Sequence, residues 1–350
     1  MDYAVVVHVV LATLDSPRET AIALVRQATK IALASKNNTQ FNTRQSPNSL
    51  LCILTISNLN QIVGNTNCWK SFQSVISSLY FAAAQETFNP EGVESGSIWL
   101  PINIILQGWC GYDVWDFAAE KVWVCMLVEA RSGQIKPKLH SDPRFLDGNV
   151  PEHIQLDISE WLTNHPNDLQ ESSDSSEHAT DLPPVFGHVA VGGTFDYLHA
   201  GHRILLTCSA WLTSTRLICG VTDLNQTSLE RKQAYQNMQS LQTRLDGVKT
   251  FLHRIKRDIM YDIIPIYDDY GPTLTDELIE AIVCSRETIR GCKLVNDLRQ
   301  QGNLKPLHIF IIDVISSSVG VITSQDFRSK ISSTYLRLHM PTCPHSGLDN

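Results

Sequence analysis

No two cysteines form a Cys-x-x-Cys pair, no apolar run is long enough to cross a bilayer, and basic charge is in deficit. Each absence excludes a class. The nine cysteines (52, 68, 110, 125, 208, 219, 284, 292 and 343) are scattered, mostly inside apolar runs. That pattern suits free thiols packed as small hydrophobes in a reducing compartment. A net charge of -8 and a pI near 5.8 exclude a broad positive field of the kind that holds nucleic acid or anionic lipid without sequence preference. Phosphate binding, if present, is local. The first residues, Met1-Asp2-Tyr3-Ala4, lack a basic n-region, and the apolar run from Ala4 to Leu14 is interrupted by His8. It reads as a buried strand, and a location in the cytoplasm, or in cytoplasm and nucleus both, is expected.

What is present is an ordinary globular balance over 350 residues, 43% hydrophobic and 18% charged, enough for two domains. Residues 164–184 (NHPNDLQESSDSSEHATDLPP) lose large apolar side chains and gain Ser, Asp, Glu and Pro, so they bury too little surface to offset chain ordering. They are predicted to be a linker between an α/β domain of unknown role (1–163) and a second domain (185–340), with a tail at 341–350.

In the first domain, strands are expected at Tyr3–Leu14, Leu51–Leu59, Ile98–Gln107 and Lys121–Glu129, and helices at Pro17–Ser35 and Cys68–Gln85, without obvious repeats. In the second, strands are expected at His188–Val191, Arg216–Val221, Met260–Tyr267, Ile282–Cys284 and Leu307–Val314. Helices are expected at Gly201–Leu212, Leu241–Lys256, Leu274–Ala281 and Thr288–Gln301. Alternating strands and helices predict a doubly wound, Rossmann-like parallel sheet with its ligand at the carboxyl ends of the strands.

The segment richest in chemistry is Val189-Ala190-Val191-Gly192-Gly193-Thr194-Phe195-Asp196-Tyr197-Leu198-His199-Ala200-Gly201-His202. Gly192 and Gly193 lack a β-carbon, so a nucleotide or its phosphates can lie against the backbone. Histidines three apart share one side of a helical turn, at the positive end of the helix dipole, where they can donate to phosphoryl oxygens. A glycine pair or a histidine pair alone is more often a turn or a buried side chain; the combination in one strand-turn-helix context is more specific.

This segment resembles the His-x-Gly-His signature of the nucleotidyltransferase superfamily. Lys330-Ile331-Ser332-Ser333-Thr334-Tyr335-Leu336-Arg337 resembles the second signature of its adenylyltransferases, which opens a helix around the β- and γ-phosphates of ATP. Adjacent hydroxyls at a helix start suit an anion, although alone they would be read as a helix cap. The stretches Arg203-Ile204-Leu205-Leu206, Leu217 to Thr222, Tyr270-Gly271-Pro272-Thr273 and Val283 to Thr288, with Gly291, Asn296 and Arg299, are most similar to pantetheine-phosphate adenylyltransferases of eukaryotic and fungal type.

The resemblance covers Gly187 to about Leu338 and implies adenylyl transfer from ATP to 4'-phosphopantetheine, giving dephospho-coenzyme A and pyrophosphate. It implies that His202 and His199 serve the transferring α-phosphate, that Thr194 holds the acceptor phosphate, and that Lys232 bridges acceptor and donor. Lys232 stands further from Asp223 than the pattern leads one to expect, and a solvated surface charge is the alternative. Gly192, Gly193, Phe195, Arg286, Ser332, Ser333 and Thr334 are the implied nucleotide contacts. Asn296 and Arg299 are the implied phosphate or ribose contacts, with an exposed helix face as the alternative for Arg299. Mg2+ is expected to enter with ATP, without a metal site of the protein's own, and other coenzyme A pathway enzymes are the implied partners.

Three further signals are set aside. Gly64 to Ser71 approaches a phosphate-binding loop, but Trp69 fills a glycine position, and no such motif follows Arg337, so no kinase activity is expected. His339, Cys343 and His345 read as a tail rather than a zinc site. Arg254, Lys256 and Arg257 read as the wet end of a helix, and Trp99, Trp109, Trp115 and Trp123 as core or interface. Two rival functions stay open: a related enzyme using nicotinamide mononucleotide or CTP, and a catalytically idle scaffold.

Overall fold

The computed structural model describes residues 4–16, 18–37, 49–63, 65–87, 100–114, 122–129, 137–138, 185–223, 232–312 and 332–339. The predicted linker and the C-terminal tail lie outside them. Two five-stranded sheets carry the chain. The first contains β1 (Ala4–Leu11), β2 (Ser49–Ile56), β3 (Ile102–Leu106), β4 (Val122–Glu129) and β5 (Pro137–Lys138), in the order β3-β2-β1-β4-β5. Its pairings are parallel except for β4 with β5. The helices between its strands are α1 (Glu19–Asn37), the short α2 (Leu59–Ile62) and α3 (Trp69–Thr87).

The second sheet contains β6 (Phe186–Gly193), β7 (Thr213–Thr222), β8 (Met260–Ile266), β9 (Ala281–Ser285) and β10 (His308–Ile312), all parallel, in the order β10-β9-β6-β7-β8. Its helices are α4 (Ala200–Leu212), α5 (Leu241–Ile255), α6 (Ile289–Gln301) and, at the end of the described chain, α7 (Ser333–His339). Strands such as SLLCILTI are buried almost throughout, as parallel strands covered on both faces require.

Counted within its own sheet, each set of five strands lies in the order third, second, first, fourth, fifth. The two sheets thus share a strand order, although the pairing of β5 is antiparallel in the first and that of β10 parallel in the second. In the second sheet the strand order reverses between β6 and β9, so the crevice beyond their carboxyl ends is the natural ligand position.

The predicted helix at Leu274–Ala281 is absent; a 3-10 turn, Gly271–Leu274, stands near its start. Arg299 explains the difference. Its guanidinium donates to the carbonyls of Thr273, Asp276 and Ile279, fixing them in a loop that an α-helix would straighten.

The halves share one apolar core. Phe72 of α3 stacks on Trp211 of α4 with ring centroids 3.9 Å apart, Trp109 lies 5.6 Å from the same indole, and Trp69 meets Phe310 of β10 edge-on at 5.3 Å. Helix α3 thus helps to cover the second sheet. Within the basic cluster at the end of α5, Lys256 departs from the expected wet face while Arg257 is exposed as expected. Lys256 is buried, donates to the carbonyl of Trp109 and pairs with Asp258, while Arg257 lies 3.9 Å over the Tyr112 ring. Tyr112 in turn donates to the carbonyl of Arg254. Among the described residues Cys52, Cys68, Cys110, Cys208, Cys219, Cys284 and Cys292 are free thiols, and no helix is long and apolar enough to cross a membrane.

Candidate active site

Strand β6 delivers the chain to the sheet edge at Gly193, and seven residues later, at Ala200, α4 begins. Within that turn Phe195 (φ 50°) and Tyr197 (φ 45°) are left-handed, a conformation that costs a non-glycine residue about 1–3 kcal/mol. Surrounding contacts hold it. The Tyr197 amide donates to Gln239 Oε1 at 2.8 Å, and its hydroxyl donates to the Asn237 carbonyl at 3.1 Å.

Gly193 admits the Phe195 ring, which would stand 3.2 Å from a β-carbon placed there, whereas the space beside Gly192 is open to 3.9 Å. Phe195 itself is 1% exposed, so its side chain is a wedge beneath the turn. The Phe195 ring, expected at the nucleotide, is thus packed inside the turn.

His199 stands at the N-cap of α4 and His202 one turn on, their rings stacked with centroids 3.9 Å apart. Burial, then the charges of Arg203 and Arg337, pushes His199 down to about 3. Burial, then His199, Lys232 and Arg203, holds His202 well below its ordinary value. Both are neutral at pH 7, so each offers one N–H donor. Neither Nδ1 has a hydrogen-bond partner among the described residues. The first backbone N–H groups of α4 have no carbonyl behind them in the helix.

Thr194 is gripped from two sides. Its Oγ1 accepts from Lys232 Nζ at 2.6 Å, and its carbonyl accepts from Arg244 at 2.8 Å. Arg244, 1% exposed, also donates to the Thr222 carbonyl at 2.6 Å and so ties the ends of β6 and β7 together. Burial, followed by Arg337, lowers the Lys232 ammonium from its ordinary value. The lysine whose spacing was unusual therefore reaches the threonine.

The second signature docks on the first through Asp196. Its carboxylate, wholly buried, pairs with Arg337 at 2.8 Å and accepts from the Gln239 amide at 2.9 Å. Burial outweighs these partners and raises its pKa. Ser333 donates to the Asp196 carbonyl at 2.9 Å, Ser332 caps α7 by accepting from the Tyr335 amide, and Thr334 accepts from Arg337 at 3.0 Å. All three predicted hydroxyls thus sit at the turn, engaged in its framework.

The remaining candidates diverge. Arg286 is exposed just beyond the carboxyl end of β9. It borders a largely apolar hollow of about 810 Å³ between α3 and β10, whose walls include neither histidine. Asn296 and Arg299 are corrections. Asn296 is spent on both the amide and the carbonyl of Leu307, and Arg299, 1% exposed, is the backbone clamp described above. Arg299 therefore has no exposed helix face, and both side chains are held by backbone groups of their own half.

Residue-level reading had assigned no role to Asp196, Arg244, Arg337 or Arg203. A charge set in an apolar helical stretch, as Arg203 is before Ile204-Leu205-Leu206, was the available signal.

Comparison with known proteins bears on the same segment. The cytidylyltransferase-like family model matches residues 190–339. A phosphopantetheine adenylyltransferase of Pyrobaculum aerophilum is 32% identical over 43% of this chain and 90% of its own length, and that of Methanopyrus kandleri is 34% identical over 43% and 89%. The chain belongs to the phosphopantetheine adenylyltransferase family. Membership in that family rests on the second half; residues before 190 lie outside the family model. The phosphopantetheine adenylyltransferase of Saccharomyces cerevisiae is 36% identical over 45% of this chain and 52% of its own. An uncharacterised Schizosaccharomyces pombe protein is 35% identical over 48% and 51%. The chain spans about half the length of these two fungal relatives. A solved structure of a protein of unknown function from Archaeoglobus fulgidus overlaps 38% of this chain and 95% of its own, at 28% identity and a TM-score of 0.33.

Proposed function

We propose that the chain transfers the adenylyl group of ATP to 4'-phosphopantetheine. The observation that supports this most is the Lys232–Thr194 contact of 2.6 Å beside the half-buried histidine pair. A cation and a hydroxyl there can hold an acceptor phosphate, while two neutral imidazoles and the start of α4 receive the α-phosphate.

An oxygen of the acceptor phosphate attacks the α-phosphorus of ATP. A new P–O–P bond forms as the bond to the bridging oxygen of the β-phosphate breaks, and pyrophosphate leaves with that electron pair. The attacking oxygen is already anionic, so no general base is required, and alignment with charge neutralisation carries the rate. His199 and His202, held neutral by burial, donate without giving up a proton. Lys232, with Thr194 positioned by Arg244, keeps the two anions in line.

The described donor set is cationic or neutral and suits phosphate oxygens rather than a bare cation. Mg2+ would therefore ride on ATP, where it neutralises phosphate charge. The scattered thiols support a cytoplasmic setting.

The test is to incubate the purified chain with Mg2+, with ATP or CTP, and with each acceptor in turn, following pyrophosphate and dephospho-coenzyme A. Turnover is expected with 4'-phosphopantetheine. Turnover confined to nicotinamide mononucleotide or to CTP would reject the proposal. In the active protein, His202→Ala is expected to lower kcat by about 10²–10³, on the scale of removing one charge-directed donor; a loss below about tenfold counts against its role.

A further inference from the structure

Arg203 follows His202 directly and turns away from the site, into the first half of the molecule. It is buried, its Nε donates to the Leu198 carbonyl at 3.0 Å, and its NH1 donates to Asn103 Oδ1 at 2.7 Å. Leu198 is the residue before His199. Asn103, 3% exposed, lies in β3, whose next amide, that of Ile104, donates to the Tyr80 hydroxyl. The guanidinium also rests 4.9 Å from the centre of the Phe251 ring.

A guanidinium is planar, so fixing one edge fixes the other. The carbonyl that introduces the histidine turn is thereby referred, through one rigid group, to a strand of the other sheet. Without Asn103, NH1 would face an apolar interface with its hydrogen bond unmade, and the fork would rotate to recover one.

Among the described residues, the corresponding turn of the first half lacks the histidine pair. After β1 the chain reads Thr13-Leu14-Asp15, six residues from Thr13 to the start of α1, as it is six from Thr194 to the start of α4. Where the second half has His199 and His202, the same spacing from the threonine gives Arg18 and Ala21. Arg18 is spent on Ser74 and the Leu14 carbonyl. The first half therefore keeps the framework of such a turn without its imidazoles, and its bearing on the site is through contact.

We infer that Asn103 is a positioning residue for adenylyl transfer: through Arg203 it sets the placement of the His199–His202 turn, making the first half part of the catalytic framework. This inference rests on the proposed function, but one arm of its test does not require turnover.

Three variants of the full chain are compared at a temperature well below unfolding. Asn103→Ala is expected to lower kcat about tenfold or more while the KM for ATP stays within about twofold, because alignment is lost and uniform binding is not. Asn103→Asp, whose carboxylate accepts the same bond, is expected to restore most of kcat. Tyr112→Phe removes a different contact between the halves, that to the Arg254 carbonyl, and is expected to lower thermal stability with kcat unchanged.

Asn103→Ala turning over like the wild type, or Asn103→Asp as slow as Asn103→Ala, would overturn the inference. If the wild type itself makes no dephospho-coenzyme A, the proposed function fails instead, and ¹⁵N-histidine spectra decide the positioning separately. Shifted His199 and His202 resonances in Asn103→Ala uphold it, and unshifted ones reject it.

Discussion

His199 and His202 stay uncharged because their surroundings are dry and already cationic. That has a cost in acid. An unfolded chain takes up protons on both imidazoles as pH falls below their ordinary value of 6.5, whereas the folded His199 does not until about 3. Within that window the unfolded state binds more protons, so stability falls as pH falls, by at most about 1.4 kcal/mol per pH unit for each imidazole. The full stability contribution is present above pH 6.5. Urea unfolding at pH 7 and pH 5 should show the loss, and His199→Gln should show a smaller one. An equal loss in the variant would mean that His199 is not the group responsible. In the proposed reaction the same dryness is useful, since a neutral donor does not titrate away in the physiological range.

The turn after β6 and helix α7 are distant in sequence and are joined mainly by one buried pair, Asp196 with Arg337. Removing one partner of such a pair leaves an uncompensated buried charge, at about 3–5 kcal/mol. Asp196→Asn is therefore expected to lower unfolding free energy by about that amount and to loosen α7, seen as faster limited proteolysis around residues 332–339. Unchanged stability and cleavage would show that the serine and backbone contacts suffice without the ion pair.

This junction also marks how far the sequence could be read. Strands and most helices were legible because apolar runs and a 3.6-residue period report burial directly. The meeting of the two signatures could be expected from resemblance, and the residues in it were visible. Which atoms join them was not, because an ion pair 141 residues apart leaves no local pattern. Leu274 to Ala281 misled for a related reason: its apolar spacing is helical, but Arg299 claims the carbonyls from another element. Arg299 and Asn296 look like ligand-binding residues in sequence because the same donors serve a phosphate or a loop carbonyl equally well.

For the whole molecule, what matters is that α3 belongs to the first sheet by connection and to the second by contact. Trp69 and Phe72 lie on Phe310 and Trp211, and the loop after β3 grips the end of α5. A fragment beginning at residue 185 would leave Trp211 and Phe310 uncovered, an exposed apolar patch of the kind that promotes association. We expect that fragment to bind the dye ANS and to run as an aggregate on size exclusion, and co-expression with residues 1–184 to recover a soluble species. A monodisperse, dye-negative fragment would show that the second half covers its own sheet. Archaeal relatives matched over about nine-tenths of their length by less than half of this chain make the comparison informative.

The shared helix also sets an order of events at the ribosome. Residues 69–87 are made well before their partners, so the nascent chain must carry Phe72 without its destination until residue 211 and Trp69 until residue 310. Its early life is spent holding a place open for a surface that does not yet exist, which makes translation speed and chaperone supply, rather than final stability alone, the conditions on which its yield should depend.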